Sequence, residues 1–478
     1  MRFKTLFHWT AKMEEKLQDK MFTNRQLVSL IIPLFIDQIL NATVGIADVI
    51  MVATLGEYAV SGVSLVDSIN ILLFALLNAL GTGGAVVASQ YLGRKDRKMA
   101  ENTAVQLIYV MLGVSSFITA VLIIFCRPIL SGIFGKVEDS VMDASLRYFW
   151  ITMLALPGIA LYSAVAAIFR AQGNSKLAMY ASTIGNAINI GGNAFCIFVL
   201  KMGVEGVAIP TTVSRIGGAL LLTYWMLREK PYHGETPLSI RKMFRVGVEF
   251  SLVKKILKIG IPSGLENSIF QFGKILVLSL ISTFGTTAIA ANATANSLAT
   301  IEVLAPSAIN IAMLTVIGRC CGAADEKQAM YYTKKLMVIA YVSMFLWNVP
   351  YLLSLRGILT FYHLSPETTE LAWWITMCHG VFGILFWPMS FTLPNALRAA
   401  NDAAFPMIVS VISMFAVRIG MSYVFKYTQI FGLIPFMGWT VAYGALGTWI
   451  AMALDWVVRS NFFIWRIASG KWKGRKLI

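Results

Sequence analysis

Carboxylate and carboxamide side chains occur within several long apolar stretches of this chain, where polar groups are costly. If residues 27–53 form a helix, Asp37, Asn41 and Asp48 lie on one face of it. An ionisable side chain in the middle of a bilayer costs at least about 2.5–3.5 kcal/mol on insertion scales. Such groups usually face a cavity or a partner, so these three positions are candidates for binding an ion or a polar ligand.

Three further apolar stretches carry a polar face. Their polar residues are Asn186, Asn189 and Asn193 in 177–200; Asn267, Gln271 and Lys274 in 257–282, with Glu266 at the edge of the face; and Asp67, Asn70 and Asn78 in 59–92. A helix in lipid turns its polar stripe away from the hydrocarbon. Several converging stripes predict a water-filled cavity with more acids than bases. For Asp67 alone, bracing of the helix packing is the favoured interpretation.

The other acids also have competing interpretations. Asp48 lies near the outer third of its stretch, and an ion site is favoured over a helix-end carboxylate in contact with water. Asp37 and Glu266 follow Pro33 and Pro262 by four residues each. They either satisfy backbone groups that the proline frees or face the cavity, and the sequence favours neither. Because an ionisable group lies so close, both prolines are candidate hinges.

A single lysine shares the polar face of 257–282. Lys274 lies eight residues before the end of that stretch, which is about 12 Å at the helical rise. Reaching the membrane interface over that distance is awkward for a lysine side chain. A carboxylate partner, either Asp48 or Glu266, is therefore predicted.

The overall composition predicts a membrane protein. Of 478 residues, 57% are hydrophobic and 13% are charged, whereas about 25% are charged in an ordinary soluble domain. The apolar blocks are long enough for the roughly 20 residues that a helix needs to cross a bilayer. Barrel strands would be about half that length and would alternate. We therefore predict an all-α polytopic membrane protein.

Twelve transmembrane helices are predicted from these blocks. The spans are 27–53, 59–92, 101–125, 143–169, 177–200, 206–227, 257–282, 287–317, 336–354, 371–397, 405–425 and 440–465. Most of the 40 basic residues lie on the side that holds both termini, so that side is predicted to be cytoplasmic. The predicted segments are an N-terminal segment 1–26, a lobe 27–227, a basic linker 228–256, a lobe 257–467 and a basic tail 468–478.

The charged segments outside the spans allow few other functions. The net charge of +16 is distributed over short loops, so it does not indicate nucleic-acid binding. Residues 1–26 lack an apolar core and are not a signal peptide. They form either an interfacial helix or a solvated tail. For the linker, ordinary positive-inside charge is favoured over specific binding of anionic lipid.

Cysteine and histidine spacing predicts neither a metal site nor a cofactor. The five cysteines contain no CxxC pair, and the four histidines are scattered. Small buried thiols are the favoured interpretation. Because there is also no catalytic His/Asp pair and no nucleophile elbow, the chain is predicted not to be an enzyme.

The two halves of the chain repeat each other at a shift of 229 residues. The matching pairs are Pro33 and Pro262, Asp37 and Glu266, Leu55-Gly56 and Phe284-Gly285, Gly93 and Gly322, and Asp96 and Asp325; farther on, RAQGNSKLAM (170–179) lies over RAANDAAFPM (398–407) at a shift of 228. Six spans is an even number, so both copies enter the membrane with the same orientation. Transporters built from repeats bind substrate at the repeat interface near the midplane.

These motifs together resemble one transporter family. They are IPLFIDQILNATVGIADVIMVATLG (32–56), GTGGAVVASQYLGRKD (81–96), FRAQGN (169–174), NAINIGGNAFCIF (186–198), GVEGVAIPT (203–211), IPSGLENSIFQFGKILVLSLISTFG (261–285) and LRAANDAAFPM (397–407). Their order is similar to that in MATE (multidrug and toxic-compound extrusion) transporters, in particular the bacterial DinF-like branch. The resemblance implies two parallel six-helix repeats in a V-shaped, two-lobe transporter. It also implies export of amphipathic, usually cationic compounds by antiport with H+ or Na+, through rocker-switch alternating access.

The resemblance also implies site residues. In the DinF-like branch the coupling site falls on Asp48, Asn189, Asn193 and Thr211, which would also hold Na+ if that is the ion. This chain has Asn193 where that branch has an aspartate. Other branches use acids in spans seven and ten, but span ten has none here, and the acid of span seven, Glu266, lies closer to its proline.

The remaining polar residues complete the predicted site. The substrate cavity is assigned to Asp37, Asn41, Glu266, Asn267, Gln271 and Lys274, and the hinges to Pro33 and Pro262. Asp37 and Glu266 are expected to compensate for the missing acid at Asn193. No cofactor is expected beyond the coupling ion, and the partners are a small-molecule substrate and membrane lipids.

Other functions remain open alternatives. A lipid-linked glycan flippase, or a narrow metabolite exporter of the same superfamily, is the main one, although such flippases usually have a more basic cavity. An embedded enzyme and a pure ion channel fit the doubled six-span pattern less well. The expected form is a functional monomer in the bacterial cytoplasmic membrane.

Overall fold

The computed structural model describes residues 20–135, 138–228, 237–241, 243–430 and 432–475. These residues form α-helices with short π- and 3₁₀-segments, and no β-strand occurs among them. The prediction of an all-α protein is confirmed. They divide into two compact units, one within Phe22–Gly264 and the other within Leu265–Lys476 together with Lys20 and Met21.

The first unit contains eight helices and the beginning of a ninth. They are α1 (Asn24–Ala53), α2 (Glu57–Gly93), α3 (Arg97–Ile124), α4 (Cys126–Phe134), α5 (Asp139–Met153), α6 (Leu156–Ala171), α7 (Lys176–Ala194), α8 (Glu205–Leu227) and the start of α9 (Phe250–Ser282). A π-helical segment, Phe195–Val199, follows α7. α1 and α9 continue without a break through Pro33 and Pro262.

The second unit contains the rest of α9 and the C-terminal helices. They are α10 (Thr286–Glu302), α11 (Leu304–Gly322), α12 (Glu326–Thr360), α13 (Pro366–Trp387), α14 (Leu393–Ala399), α15 (Ala404–Ser413), α16 (Gly420–Thr428), α17 (Leu433–Phe436) and α18 (Gly444–Ala468). Two further π-helical segments, Pro388–Thr392 and Met414–Ile419, connect α13 with α14 and α15 with α16.

Every predicted span lies on helical residues, but two of them are interrupted. In the described part of the chain, ten helical stretches are long and apolar enough to cross a membrane, or eleven if α5 and α6 are one span bent by 44°. Lys176–Val199 is not among them, and its three asparagines lower its mean hydropathy. The predicted span 287–317 is broken at Val303, between α10 and α11.

The repeated turns have the same local structure in both units. Gly56 and Gly285 precede α2 and α10 with φ of 107° and 96°, a backbone conformation that glycine adopts at little cost. Asp96 and Asp325 cap α3 and α12, each accepting a hydrogen bond from the backbone N–H three residues on, at 3.1 Å and 2.9 Å. The sequence repeat is therefore also a repeat of turn and cap geometry.

Part of the predicted linker is packed against the first unit. Gln106 of α3 donates to the carbonyl of Gly247 at 2.8 Å and accepts from the N–H of Glu249 at 3.0 Å. α9 begins at Phe250, within the predicted linker. Farther along α9, a Cβ on Gly83 of α2 would collide with the carbonyl oxygen of Ile256, so the two backbones touch there. Residues 1–19, 229–236, 242 and 476–478 of the predicted outer segments lie outside the described residues, and the predicted boundaries stay predictions.

Candidate functional site

The four residues predicted to form the coupling site are joined by hydrogen bonds. Asn193 Nδ2 donates to Asp48 Oδ1 at 2.7 Å and lies 3.4 Å from Asn189 Oδ1. Asn189 Nδ2 donates to Thr211 Oγ1 at 2.8 Å. α1, α7 and α8 of the first unit each contribute to this chain of contacts, so residues from three helices meet at one place.

Local sequence explains why these side chains meet. Asn189 and Asn193 are four residues apart and therefore lie on the same face of α7. Gly192 lets α8 approach that helix, since a Cβ there would lie 2.7 Å from the Cβ of Pro210. Thr211, the residue after that proline, is thereby within reach of Asn189.

The cluster opens onto a cavity of about 280 Å³ in the first unit. Its polar lining residues are Asp48, Ser64, Asp67, Asn70, Tyr148, Thr152, Thr211 and Arg215. Asp67 accepts a hydrogen bond from Asn70 Nδ2 at 3.1 Å and lies close to Arg215. Bracing of helix packing alone therefore does not account for Asp67, because it shares a cavity with Asp48.

The cluster has the oxygen atoms that a small hard cation requires. It offers the Asp48 carboxylate, the hydroxyl of Thr211 and the carboxamide oxygens of Asn189 and Asn193, and hard cations prefer oxygen ligands. Asn193 Oδ1 is buried and accepts no hydrogen bond in the described part of the protein. An unsatisfied buried acceptor costs about 1–3 kcal/mol, and a bound cation would remove that cost. The described residues contain no His/Cys/Asp/Glu group of a transition-metal type.

The first two residues predicted for the substrate cavity lie deeper along α1. Asn41 Nδ2 donates to the backbone carbonyl of Asp37 at 2.8 Å, and its side chain lines a small cavity of about 70 Å³ with Asn186 and Asn189. Asp37 lies near Arg170 and Ser182, and its Oδ1 is buried without a hydrogen bond. Asp37 does not line either of these two cavities.

Glu266 is held in a buried ion-pair network in the second unit. Its carboxylate lies 2.5 Å from Arg398 Nη2 and 3.7 Å from Arg459 Nη2, and it accepts a hydrogen bond from Ser410 at 2.7 Å. The predicted pairing of Glu266 with Lys274 is wrong, because the two arginines already balance this carboxylate. The alternative partner of Lys274, Asp48, stays a prediction.

Lys274 lines a separate cavity of about 230 Å³ in the second unit. Arg418 also lines it, whereas Glu266, Asn267 and Gln271 do not. Within that unit no described carboxylate lies within ion-pair distance of Lys274. The predicted polar face of α9 is therefore divided between an ion-pair network and a cavity.

Several buried polar residues were not predicted. Arg398, Arg418 and Arg459 are buried or nearly so, and their only sequence signal is that each lies in or beside an apolar block. Glu302 and His379 form a buried hydrogen-bonded pair that closes a sequence separation of 77 residues. No spacing rule could have joined those two residues.

Comparison with known proteins identifies the family. The family model MatE matches this chain twice, over residues 33–195 and 262–424. The two matched stretches begin 229 residues apart and end 229 residues apart, which agrees with the repeat predicted from the sequence. Together they cover more than half of the chain.

Relatives match along almost the full length. A Thermotoga maritima protein named "Probable multidrug resistance protein NorM" is 24% identical over 462 residues, covering 95% of this chain and 94% of the relative. The Bacillus subtilis "Uncharacterized transporter YisQ" is 27% identical over 475 residues, covering 96% of each. A solved MOP superfamily transporter from Pyrococcus furiosus shares the fold, with a TM-score of 0.83, 20% identity and coverage of 94% of this chain and 96% of that one. The chain therefore belongs to the MatE family of membrane transporters.

Proposed function

We propose that this transporter exports amphipathic, usually cationic small molecules by antiport with inward-moving H+ or Na+. The observation that carries the proposal is the hydrogen-bonded chain from Asp48 through Asn193 and Asn189 to Thr211. A lone carboxylate beside neutral oxygens attracts either a proton or a sodium ion. The Thermotoga maritima relative, whose name describes a probable multidrug resistance protein, supports the same substrate class.

The proposed mechanism is mutual exclusion at the cavity that Asp48 lines. The Asp48 carboxylate attracts the positive group of the substrate while the cavity is open to the cytoplasm. A proton or Na+ from outside neutralises that carboxylate, so the substrate loses its electrostatic partner and leaves. Asn193 holds the carboxylate in place, and its unsatisfied Oδ1 completes the ion site.

The remaining sequence predictions complete the proposal. Asp37, Asn41, Asn267, Gln271 and Lys274 contact the substrate, and Glu266 contributes through its ion pair with Arg398. The two lobes alternate between inward- and outward-facing states, with hinges at Pro33 and Pro262. The protein works as a monomer in the bacterial cytoplasmic membrane with both termini inside.

Efflux from proteoliposomes tests the proposal. A fluorescent cation is loaded, and a pH gradient and a Na+ gradient are imposed separately. We expect one gradient to drive efflux and Asp48→Asn to slow that efflux by about tenfold or more, because it removes the ionisable ligand. Asp143→Asn is the control, since Asp143 is exposed and pairs only with Arg147 of the same helix, at 2.8 Å. Driven efflux that persists in Asp48→Asn would assign coupling to another residue.

A second candidate function is export or flipping of a narrow substrate, such as a lipid-linked glycan or a metabolite. The observation that favours it is the cavity of the second unit, which presents Lys274 and Arg418 without a lining acid. Such a protein would show no efflux of the fluorescent cation under either gradient.

A further inference from the structure

The two largest cavities described above occupy equivalent positions in the two repeats. Residues 229 positions after Asp48, Val49 and Val52 of the first cavity are Val277, Leu278 and Ile281, and all three line the second cavity. The same shift takes Val63 and Asp67 to Asn292 and Asn296, which also line it. The cavities are thus two copies of one feature, each within its own unit.

The charges of the two copies are opposite. Asp48 and Asp67 of the first cavity correspond to the neutral Val277 and Asn296 of the second. Gly45, which has no side chain, corresponds to Lys274. The position 229 residues after Asn189 is Arg418. One copy therefore has two acids and Arg215, whereas the other has two cations and no acid in its lining.

Arg418 is a buried cation that the protein itself does not neutralise. Its exposed fraction is 7%, and its Nε and Nη1 have no hydrogen-bond partner among the described residues. Its Nη2 contacts only the sulfur of Met452, at 3.0 Å. The nearest acid, Asp455, accepts a hydrogen bond from Ser413 and lies 3.8 Å from Arg459. An unpaired buried charge is expensive, so this guanidinium needs a partner from outside the chain.

Lys274 and Arg418 converge on one aromatic ring. The Lys274 Nζ lies 5.3 Å from the centroid of the Phe270 ring, and the Arg418 Cζ lies 5.2 Å from it. Contact with an aromatic face stabilises a cation but leaves its N–H groups able to bind an oxyanion. Trp449 and Ile275 supply apolar wall to the same cavity.

We propose that this cavity binds an anionic group, a carboxylate or a phosphate ester, of an amphipathic ligand, with Arg418 and Lys274 as its ligands. An arginine fork and a lysine together favour an oxyanion, and the aromatic and aliphatic walls hold the organic part. The oxyanion belongs either to a soluble substrate or to a lipid headgroup. The proposal rests on the proposed export function, because it names the chemistry that the second unit recognises in that function.

A matched pair of probes tests the proposal without any ion gradient. Radiolabelled 1-naphthaleneacetate and its neutral analogue 1-naphthaleneacetamide are bound to the full-length protein in phosphatidylcholine nanodiscs, with empty nanodiscs as the blank. We expect the carboxylate to bind about tenfold or more tightly than the amide, from its charge-assisted hydrogen bonds. Arg418→Gln and Lys274→Gln abolish the difference. Lys426→Gln, a charge loss on α16 outside the cavity, keeps it.

Further arms make the outcomes distinct. Arg418→Lys keeps a charge in the buried position and guards against loss of folding, and it should retain part of the preference. Phosphatidylglycerol that competes with the carboxylate in the wild type identifies a lipid headgroup as the source, and no competition identifies a soluble anion. Equal binding of the two probes by the wild type overturns the proposal. Since no gradient is used, failure of coupled efflux through Asp48 does not affect this result.

Discussion

Asn193 holds the Asp48 carboxylate through its Nδ2 at 2.7 Å, while its own Oδ1 is buried without a partner in the described part of the protein. The two halves of one carboxamide thus have different roles, one satisfied within the protein and one waiting for a ligand. An aspartate at the same position would place two carboxylates in contact. The asparagine therefore sets the charge of the site at one negative group.

Asn193→Asp should lower the driving-ion concentration at which efflux is half-maximal. A second carboxylate beside Asp48 strengthens attraction of a cation, since ligand charge is a main determinant of ion affinity. We expect a decrease of about tenfold, measured as efflux from proteoliposomes over a series of ion concentrations. Asn186→Asp adds the same charge on the same helix without joining the hydrogen-bonded chain, and it should leave the half-maximal concentration unchanged. An equal effect of both variants would contradict this role for Asn193.

Arg215→Gln should also increase the apparent affinity for the driving ion. The guanidinium lines the cavity with Asp48 and Asp67 and offsets part of their negative charge. Its removal leaves two carboxylates in one cavity and favours any cation there. The same ion titration measures the effect, with Arg147→Gln at an exposed pair as the control. A weaker ion affinity in Arg215→Gln would mean that the arginine organises the site.

Glu266→Gln should destabilise the second unit and leave the ion dependence of efflux unchanged. The change removes the anion between Arg398 and Arg459 and leaves two buried cations unpaired. Breaking a buried ion pair costs about 3–5 kcal/mol. Thermal unfolding in detergent measures this loss, and Glu205→Gln at a more exposed pair should have almost no effect.

A double variant separates the ion pair from a direct role in transport. With Glu266→Gln and Arg398→Gln combined, stability should recover in part, because one unpaired charge is gone. If Glu266→Gln folds normally and changes only the concentration dependence for substrate, Glu266 contacts substrate instead.

Gly83→Ala should lower the stability of the first unit. A Cβ on Gly83 would meet the carbonyl oxygen of Ile256, and backbone cannot move aside as a side chain can. Overpacking of this kind costs about 1–3 kcal/mol. Gly113→Ala is the matched control, because nothing lies within 4 Å of its Cβ position, and there alanine should be neutral or slightly stabilising. Thermal unfolding of both variants decides the point.

The sequence was most informative where information is local or repeated. Hydrophobic blocks located the helices, and four-residue spacing together with the resemblance to MATE transporters brought Asp48, Asn189 and Asn193 together. The sequence was least informative about charge partners. Glu266 and Arg398 are 132 residues apart, and only packing of α9 against α14 decides that they pair, leaving Lys274 to line a cavity instead.

Breaks in helices were also difficult to predict. Val303 has no unusual residue type, yet it separates α10 from α11. The π-helical segment Met414–Ile419 likewise has no sequence mark, although it contains Arg418. Such local changes depend on which neighbours a helix packs against, and a hydropathy pattern does not contain that information.

A repeat with a constant 229-residue shift is the trace of a gene duplication followed by fusion. Before fusion, two identical chains would have had to pair as equals, and every substitution would have changed both copies at once. Joining them in one reading frame removed that constraint. One copy could then keep Asp48 while the other replaced it with Val277 and acquired Lys274. The doubled chain is thus what allowed a single molecule to carry two binding chemistries.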